Sequence, residues 1–309
     1  MATYEKLVLV TRRTRLEELI DRFNTKGQAK FYIEHAGGDF NDYQQEHDAY
    51  QRALDRLRRD LDLGMPRQIM DRGLVPTYTF GPGDLVVTLG QDGLVANVAK
   101  YAGEQPIIGV NPDVNRFDGV LLPFLPEEAK GAVVDVLAGH AATRAVTLAR
   151  VQLDDGQCLL AFNDLFVGAR THTSARYRIT VRGAAEAQSS SGVLISTGAG
   201  STGWMSSVFN MAAGVTAFGG GYGASPMRLG WEDRRLIFAV REPFISRHSS
   251  AIIVAGLVEH TEEIVLESLM PSGGVIFSDG VESDYLEFNA GAVGRVRTAR
   301  QRAMLVVGR

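Results

Sequence analysis

Residues 85–89 read Leu-Val-Val-Thr-Leu, and residues 106–110 read Pro-Ile-Ile-Gly-Val. Neither run alternates apolar with polar, so neither suits a strand with one wet face. Each suits a strand covered on both faces, as in a parallel sheet flanked by helices. A helix-compatible run, Val95 to Tyr101, lies between them. Strands alternating with helices in this way indicate a doubly wound, Rossmann-like α/β sheet. Lys6 to Val10 supplies a further apolar strand. Thr14 then reads as the cap of a helix from Arg15 to Phe23, with Leu16, Leu19, Ile20 and Phe23 at helical spacing. Asp42 to Leu61 reads as a second helix with Tyr50, Leu54, Leu57 and Leu61 on one face, ended by Gly64 and Pro66.

After about residue 143 the pattern changes to short β-like segments: Val146–Leu153, Cys158–Val167, Tyr177–Val181, Gly192–Ser196, Leu236–Val240, Ser250–Val254, Glu263–Leu269 and Gly274–Ser278. That succession suits a mainly antiparallel β-sandwich. A helix around Met205–Met211 interrupts it, and Gly214 to Gly230 reads as a glycine-rich loop. Arg295 to Val307 reads as two β segments that return to the first domain. The expected division is therefore 1–142, an α/β domain, and 143–292, a β-rich domain, with 293–309 going back to the first.

The length of 309 residues suits two domains. A net charge of −4 without a dominant basic patch argues against nucleic acid as the main partner. The single cysteine, Cys158, rules out an internal disulfide and any cysteine-based zinc cluster. Its apolar neighbours suggest a buried side chain. The six histidines have no metal-ligand spacing, and no metal site is expected. No apolar run reaches membrane-spanning length and the N-terminus has no signal-peptide core, so a soluble, cytoplasmic protein without membrane partners is expected.

Two turns carry the chemistry. Leu89-Gly90-Gln91-Asp92-Gly93-Leu94 and Ser196-Thr197-Gly198-Ala199-Gly200-Ser201-Thr202-Gly203-Trp204 each follow an apolar run and precede a helical one. A strand feeding a helix through such a turn aims backbone N–H groups and the positive helix end at one point, where phosphate binds. Gly37-Gly38-Asp39-Phe40, also glycine-rich, sits after a weak strand and reads as a turn into the Asp42 helix.

The order of these turns resembles the NAD kinase family. That family has Gly-Gly-Asp-Gly-Thr, then an Asn-Glu pair, then Ser-Thr-Pro-Thr-Gly-Ser-Thr-Ala-Tyr, then Asp-Gly. Here the series is Gly90-Gln91-Asp92-Gly93-Leu94, Asn163-Asp164, Ser196 to Trp204, and Asp279-Gly280, with Gly109-Val110-Asn111-Pro112-Asp113 between the first two. Ala161 to Gly168, Ser190-Ser191-Gly192, Val240-Arg241-Glu242-Pro243 and Leu286 to Ala292 resemble the mitochondrial-type NAD kinases in particular. The resemblance implies the fold shared by NAD kinases and diacylglycerol kinases, a site in the cleft between two domains, and a homodimer or homotetramer. It implies NAD as substrate, phosphorylated on the 2′-hydroxyl of its adenosine ribose. ATP with Mg²⁺, or polyphosphate, would be the donor.

The resemblance assigns Asp92 to that hydroxyl, as base or orienting acceptor; otherwise Asp92 is an Asp-Gly turn or helix cap. Gly90 and Gly93 let backbone approach a phosphate. Gln91 replaces a glycine and either blocks that backbone geometry or offers its amide, and Leu94 removes a hydroxyl. Asn163 and Asp164 would take ribose hydroxyls and the adenine amino group, or form a plain strand-end turn. Ser201 and Thr202 would offer hydroxyls and amides to the adenine end or its ribose, and Thr197 and Gly200 are expected to bind cofactor in the same turn. Trp204 would stack on a base, or pack in the core. Gly198 stands where the family has proline. Arg241 reaches a phosphate or pairs with Glu242, and Asp279-Gly280 reads as a hairpin turn touching the site. Two other readings stay open: an NAD(H)- or NADP(H)-binding protein without turnover, and a kinase of the same fold for a lipid, sugar or nucleoside.

Overall fold

The computed structural model describes residues 4–223 and 225–308. The chain divides into two compact units, one running to Arg144 and resuming at Met304, the other spanning Ala145–Ala303.

The first unit contains, in order, β1 (Lys6–Thr11), α1 (Arg15–Phe23), α2 (Lys26–His35), α3 (Phe40–Asp60), β2 (Arg67–Asp71), β3 (Asp84–Leu89), α4 (Asp92–Ala99), β4 (Pro106–Val110) and α5 (Ala129–Leu137). The four strands run parallel in the order β2-β1-β3-β4. Every residue of β3 and of β4 is buried, as two-sided burial requires. Leu7, Leu9, Leu85 and Val87 pack with Leu54 and Leu57 of α3 and Val133 of α5. Val8, Val10 and Val86 are equally buried on the opposite face.

Sequence periodicity finds α1 to the residue, because Thr14 and Glu17 close a capping box: the Thr14 hydroxyl accepts the Glu17 N–H and the Glu17 carboxylate accepts the Thr14 N–H. The weak strand expected before Gly37 is a helix, α2. Thr25 caps it, and Tyr32 packs its ring on Phe23 of α1 at 4.5 Å. The Asp39 carboxylate caps α3, so Gly37-Gly38-Asp39 is a turn into that helix. Helix α4 starts three residues before the expected Val95, at Asp92 itself.

The second unit contains β5 (Thr143–Leu153, the first two residues of which precede it), β6 (Cys158–Ala161), β7 (Asp164–Ala169), β8 (Ala175–Val181), β9 (Ala184–Ser190), β10 (Val193–Ser196), α6 (Trp204–Phe218), β11 (Leu236–Val240), β12 (Ala255–Val258), β13 (Ile264–Ser268), β14 (Gly274–Ser278), β15 (Val281–Glu287) and β16 (Val293–Val306). One antiparallel sheet runs β12-β11-β10-β7-β14-β15. Facing it are β16-β13-β8-β9 and the β5–β6 pair. Alternation explains the sandwich. Leu165 and Val167 of β7 and Val193 and Ile195 of β10 point into a core shared with Ala149, Tyr177 and Leu266. Leu194, Ile237 and Ala239 point the other way, onto Met205 of α6. This outer face carries the candidate site.

Several expectations are corrected. The Cys158–Val167 run is two strands, broken at Phe162-Asn163. Cys158 is exposed, since it opens β6 at an outward position. Helix α6 continues through Gly214 to Phe218. Residues 250–254 are not a strand; β12 starts at Ala255. The last run is one strand, β16, whose Met304 and Leu305 pair parallel with β4. No described helix is long and apolar enough to cross a membrane.

Thr14→Ala removes the α1 capping box and is expected to lower unfolding stability by about 1 kcal/mol in urea titration. An unchanged midpoint would show that packing alone holds α1.

Candidate functional site

In the first unit the site grows from the end of β3. Gln91 is the N-cap of α4 with φ −118° and ψ 168°, ordinary extended backbone. A glycine is therefore not needed there, and its replacement leaves the turn intact. Gly90 is needed: a Cβ would lie 2.9 Å from Leu94 Cδ2 and 3.3 Å from Arg12 Cδ. Leu94 is fully buried, so the position where the family carries a hydroxyl is hydrophobic packing here. Gly93 is exposed, with nothing near its missing Cβ.

Asp92 is half-buried, and its Oδ1 accepts the Leu121 backbone N–H at 2.6 Å. Its second oxygen has no hydrogen-bond partner among the described residues. The carboxylate is thus oriented through one oxygen and left with the other. Leu121 stands there because Gly109 has no side chain; a Cβ on it would meet the Leu121 carbonyl at 2.1 Å. Asn111 secures the same loop, accepting the Asp113 N–H at 3.0 Å and donating to the Phe117 carbonyl at 3.0 Å. Sequence reasoning singled out Gly109 to Asp113 but missed Leu121, a residue with no chemistry in its side chain.

In the second unit the site lies on the outer face of the β12–β15 sheet. Asp279, in left-handed conformation at φ 54°, turns β14 into β15. Its carboxylate accepts three backbone N–H groups, from Phe162 at 3.0 Å, Asn163 at 2.6 Å and Asp164 at 3.2 Å. From the other side Thr197 donates its hydroxyl to the Phe162 carbonyl at 2.6 Å and its N–H to the Asn163 carbonyl at 2.9 Å. Gly200 passes so close that a Cβ would sit 2.3 Å from that Asn163 carbonyl. The hairpin turn at 279–280 is therefore the clamp that fixes the Asn163-Asp164 pair.

Asp164 and Ser196 are cross-strand neighbours of β7 and β10. Burial raises the Asp164 pKa to about 7, opposed by a hydrogen bond from Ser196 and reinforced by the charge of Asp279. Its Oδ1 is buried with no hydrogen-bond partner among the described residues. The Asn163 side chain makes no hydrogen bond among the described residues and is half-buried.

Thr197 and Ser201, both expected in the cofactor-binding turn, turn their hydroxyls inward in this structure. Both are fully buried, and Ser201 donates to the Gly198 carbonyl at 2.8 Å and accepts the Leu229 N–H at 3.3 Å. They hold the turn. Thr202 is exposed and unengaged. Gly198 lies against residue 230, where a Cβ would be 1.9 Å from the Gly230 carbonyl, so a proline ring has no room. Trp204 is half-buried and stacks on Phe166 at 5.6 Å and 14°. The Arg241 guanidinium lies 5.3 Å from the Trp204 ring and 3.7 Å from Glu242, the ion pair that was one of the two expectations for it. Trp204, Phe166 and Arg241 line a cavity of about 760 Å³ with Phe277, Tyr285 and Arg170.

No family model matches the chain, and no curated protein matches it in sequence. Solved structures do match it. A yeast NADH kinase complexed with NADH superposes with a TM-score of 0.57 at 18% identity, over 99% of this chain and 84% of that one. An NAD kinase from Archaeoglobus fulgidus in complex with ATP gives a TM-score of 0.54 at 17% identity, over 97% and 93%. The chain has the fold of the NAD(H) kinases. At these identities the likeness is one of fold.

A carboxyl whose pKa rises on folding binds a proton that the unfolded chain has already lost. Asp164 therefore contributes stability that is complete below its unfolded pKa of about 3.9 and lost as pH rises through 7. Asp164→Asn is expected to flatten the decline between pH 4 and 7 and to stabilise the free protein at pH 8 by a few kcal/mol, on the order set by the shift. Thermal unfolding across that range checks it; a variant as pH-sensitive as wild type contradicts it.

Proposed function

We propose that this chain is an NAD kinase, transferring a phosphoryl group to the 2′-hydroxyl of the adenosine ribose of NAD to give NADP. The carrying observation is Asp92, fixed at a strand end through one oxygen with the other unpartnered, in a chain with the NAD(H) kinase fold. Such a carboxylate suits a hydroxyl that must lose its proton as it attacks phosphorus. In the reaction the ribose oxygen bonds to the terminal phosphorus and the bond to the bridging oxygen breaks. ADP, or a polyphosphate one unit shorter, leaves with that electron pair. The hydroxyl proton passes to Asp92 and on to solvent.

Asn163 and Asp164 would hold the ribose and adenine, their backbone clamped by Asp279. The buried, unpartnered Asp164 oxygen suits a donor that arrives with the ligand. Trp204, with a partly open ring, would stack on a base. Mg²⁺ would enter with the donor and offset the charge of its phosphates. The departures from the family pattern are each accommodated: Gln91 by ordinary backbone, Leu94 by packing, Gly198 by close approach. That supports a working kinase over a binding protein without turnover. Association into a homodimer or homotetramer is part of the proposal, supported by Met211, Val215 and Phe218, which α6 leaves exposed.

Asp92→Asn keeps shape but cannot take the proton. It is expected to lower turnover by about 10²–10⁴-fold while NAD affinity stays within about tenfold. Steady-state rates and direct NAD titration test this; near-wild-type turnover would remove Asp92 from the chemistry.

A further inference from the structure

Helices α1 and α2 form a hairpin in the first unit, turned by Asn24 in left-handed conformation at φ 64°. A groove of about 660 Å³ lies along it, walled by Phe23, Gly27, Phe31, Tyr32 and His35. Residues 27, 31 and 35 stand four apart and so share one face of α2. A helix of a soluble domain turns its aromatic face inward. Here Phe31 is 69% exposed and Tyr32 43%, while Ala29 and Ile33 are the α2 residues that are buried. The exposed rings are nonetheless arranged. Phe31 stacks on His35 at 5.3 Å and 12°, and Tyr32 tilts against Phe23 at 4.5 Å.

Nothing in the local backbone asks for glycine at position 27. It is not among the left-handed residues, and a Cβ there would meet no atom within 4 Å. Glycine is a poor helix former, so its presence in the first turn of α2 weakens the helix. What it leaves is open space beside Phe31.

The charge of the groove is one-sided. Arg22 lines it, and no carboxylate does among the described residues. Arg22 has no ion pair among the described residues; its guanidinium lies 5.2 Å from the Phe23 ring and 5.8 Å from the Tyr32 ring. The carboxylates nearest in sequence are engaged, Asp21 with Arg13 and Glu34 with Lys30 at 3.8 Å. Asn24 and Gln28 add amides to the lining. Aromatic faces beside an unpaired guanidinium, in a groove of small-molecule size, fit a flat ring that carries negative charge.

We propose that this groove binds a planar aromatic anion, with its ring laid on Phe31 and its charged group against Arg22. The proposal does not rest on the kinase reading. An aromatic carboxylate and a nucleoside monophosphate both offer that chemistry.

Titration of the whole protein, followed by the proton NMR signal of the His35 ring, tests the site; His35→Gln identifies that signal. The two anionic arms are 2-naphthoate and adenosine monophosphate. Naphthalenemethanol supplies the ring without the charge, and cyclohexanecarboxylate the charge without a flat ring. At least one of the anionic arms should shift the signal saturably, with both controls about tenfold weaker. A shift with naphthoate alone names an aromatic acid, and one with adenosine monophosphate alone names a nucleotide. Phe31→Ala and Arg22→Gln, both at exposed positions, should each weaken binding about fivefold while NAD affinity stays unchanged. A His35 signal indifferent to both anions overturns the proposal. So does binding that both variants leave intact, or naphthalenemethanol bound as tightly as naphthoate. Self-association in sedimentation that Phe31→Ala abolishes would seat a second copy on the groove, and overturns it too.

Discussion

In both units the candidate site is held where one backbone passes another with no space for a Cβ. Gly109 admits the Leu121 carbonyl, and the Leu121 N–H then orients Asp92. Gly200 admits the Asn163 carbonyl, which ties the Ser196–Trp204 turn to the Asn163-Asp164 pair. Gly198 admits the Gly230 carbonyl and anchors the chain beyond α6. These approaches fix functional groups through main-chain atoms, which have few torsions to lose. A side chain added at any of the three forces the strands of the turn apart, because the obstacle is backbone and cannot rotate away. Two motif glycines, Gly90 and Gly93, are those that the sequence assigns to phosphate approach. Gly90 makes room for Leu94, and Gly93 has open space at its missing Cβ.

Charge completes what the glycines begin, differently in each unit. The first unit gathers Arg12, Arg15 and Arg116 around Glu46 and Asp42. The second buries a carboxyl, Asp164, and leaves an acceptor over. A lone buried acceptor suits a hydroxyl or an amino group.

Features carried by local pattern were legible in the sequence. The capping box at Thr14, the two-sided burial of β3 and β4, and the change to alternating segments after residue 143 each follow from neighbours a few residues apart. So did Gly90 to Gly93, Asn163-Asp164 and the Ser196–Trp204 turn, as motifs. What the sequence hid depends on long-range contact. Arg12, Arg15 and Arg116 look like ordinary surface charges until the fold brings them together. Asp279 looks like a turn residue until its three backbone partners, more than a hundred positions earlier, are in place. Helix α2 was missed because Phe31-Tyr32-Ile33 has strand-like composition; its cap at Thr25 and its packing on α1 override that preference. Cys158 was misjudged because an apolar neighbourhood does not say which face of a strand a residue takes.

The most direct test of the account is the product itself. Purified protein is incubated with NAD, Mg²⁺ and either ATP or polyphosphate, and the mixture is read with a dehydrogenase that accepts only the 2′-phosphorylated dinucleotide. The account predicts NADP formed in step with donor consumed, with at least one of the two donors. Binding of NAD without any NADP from either donor would contradict it.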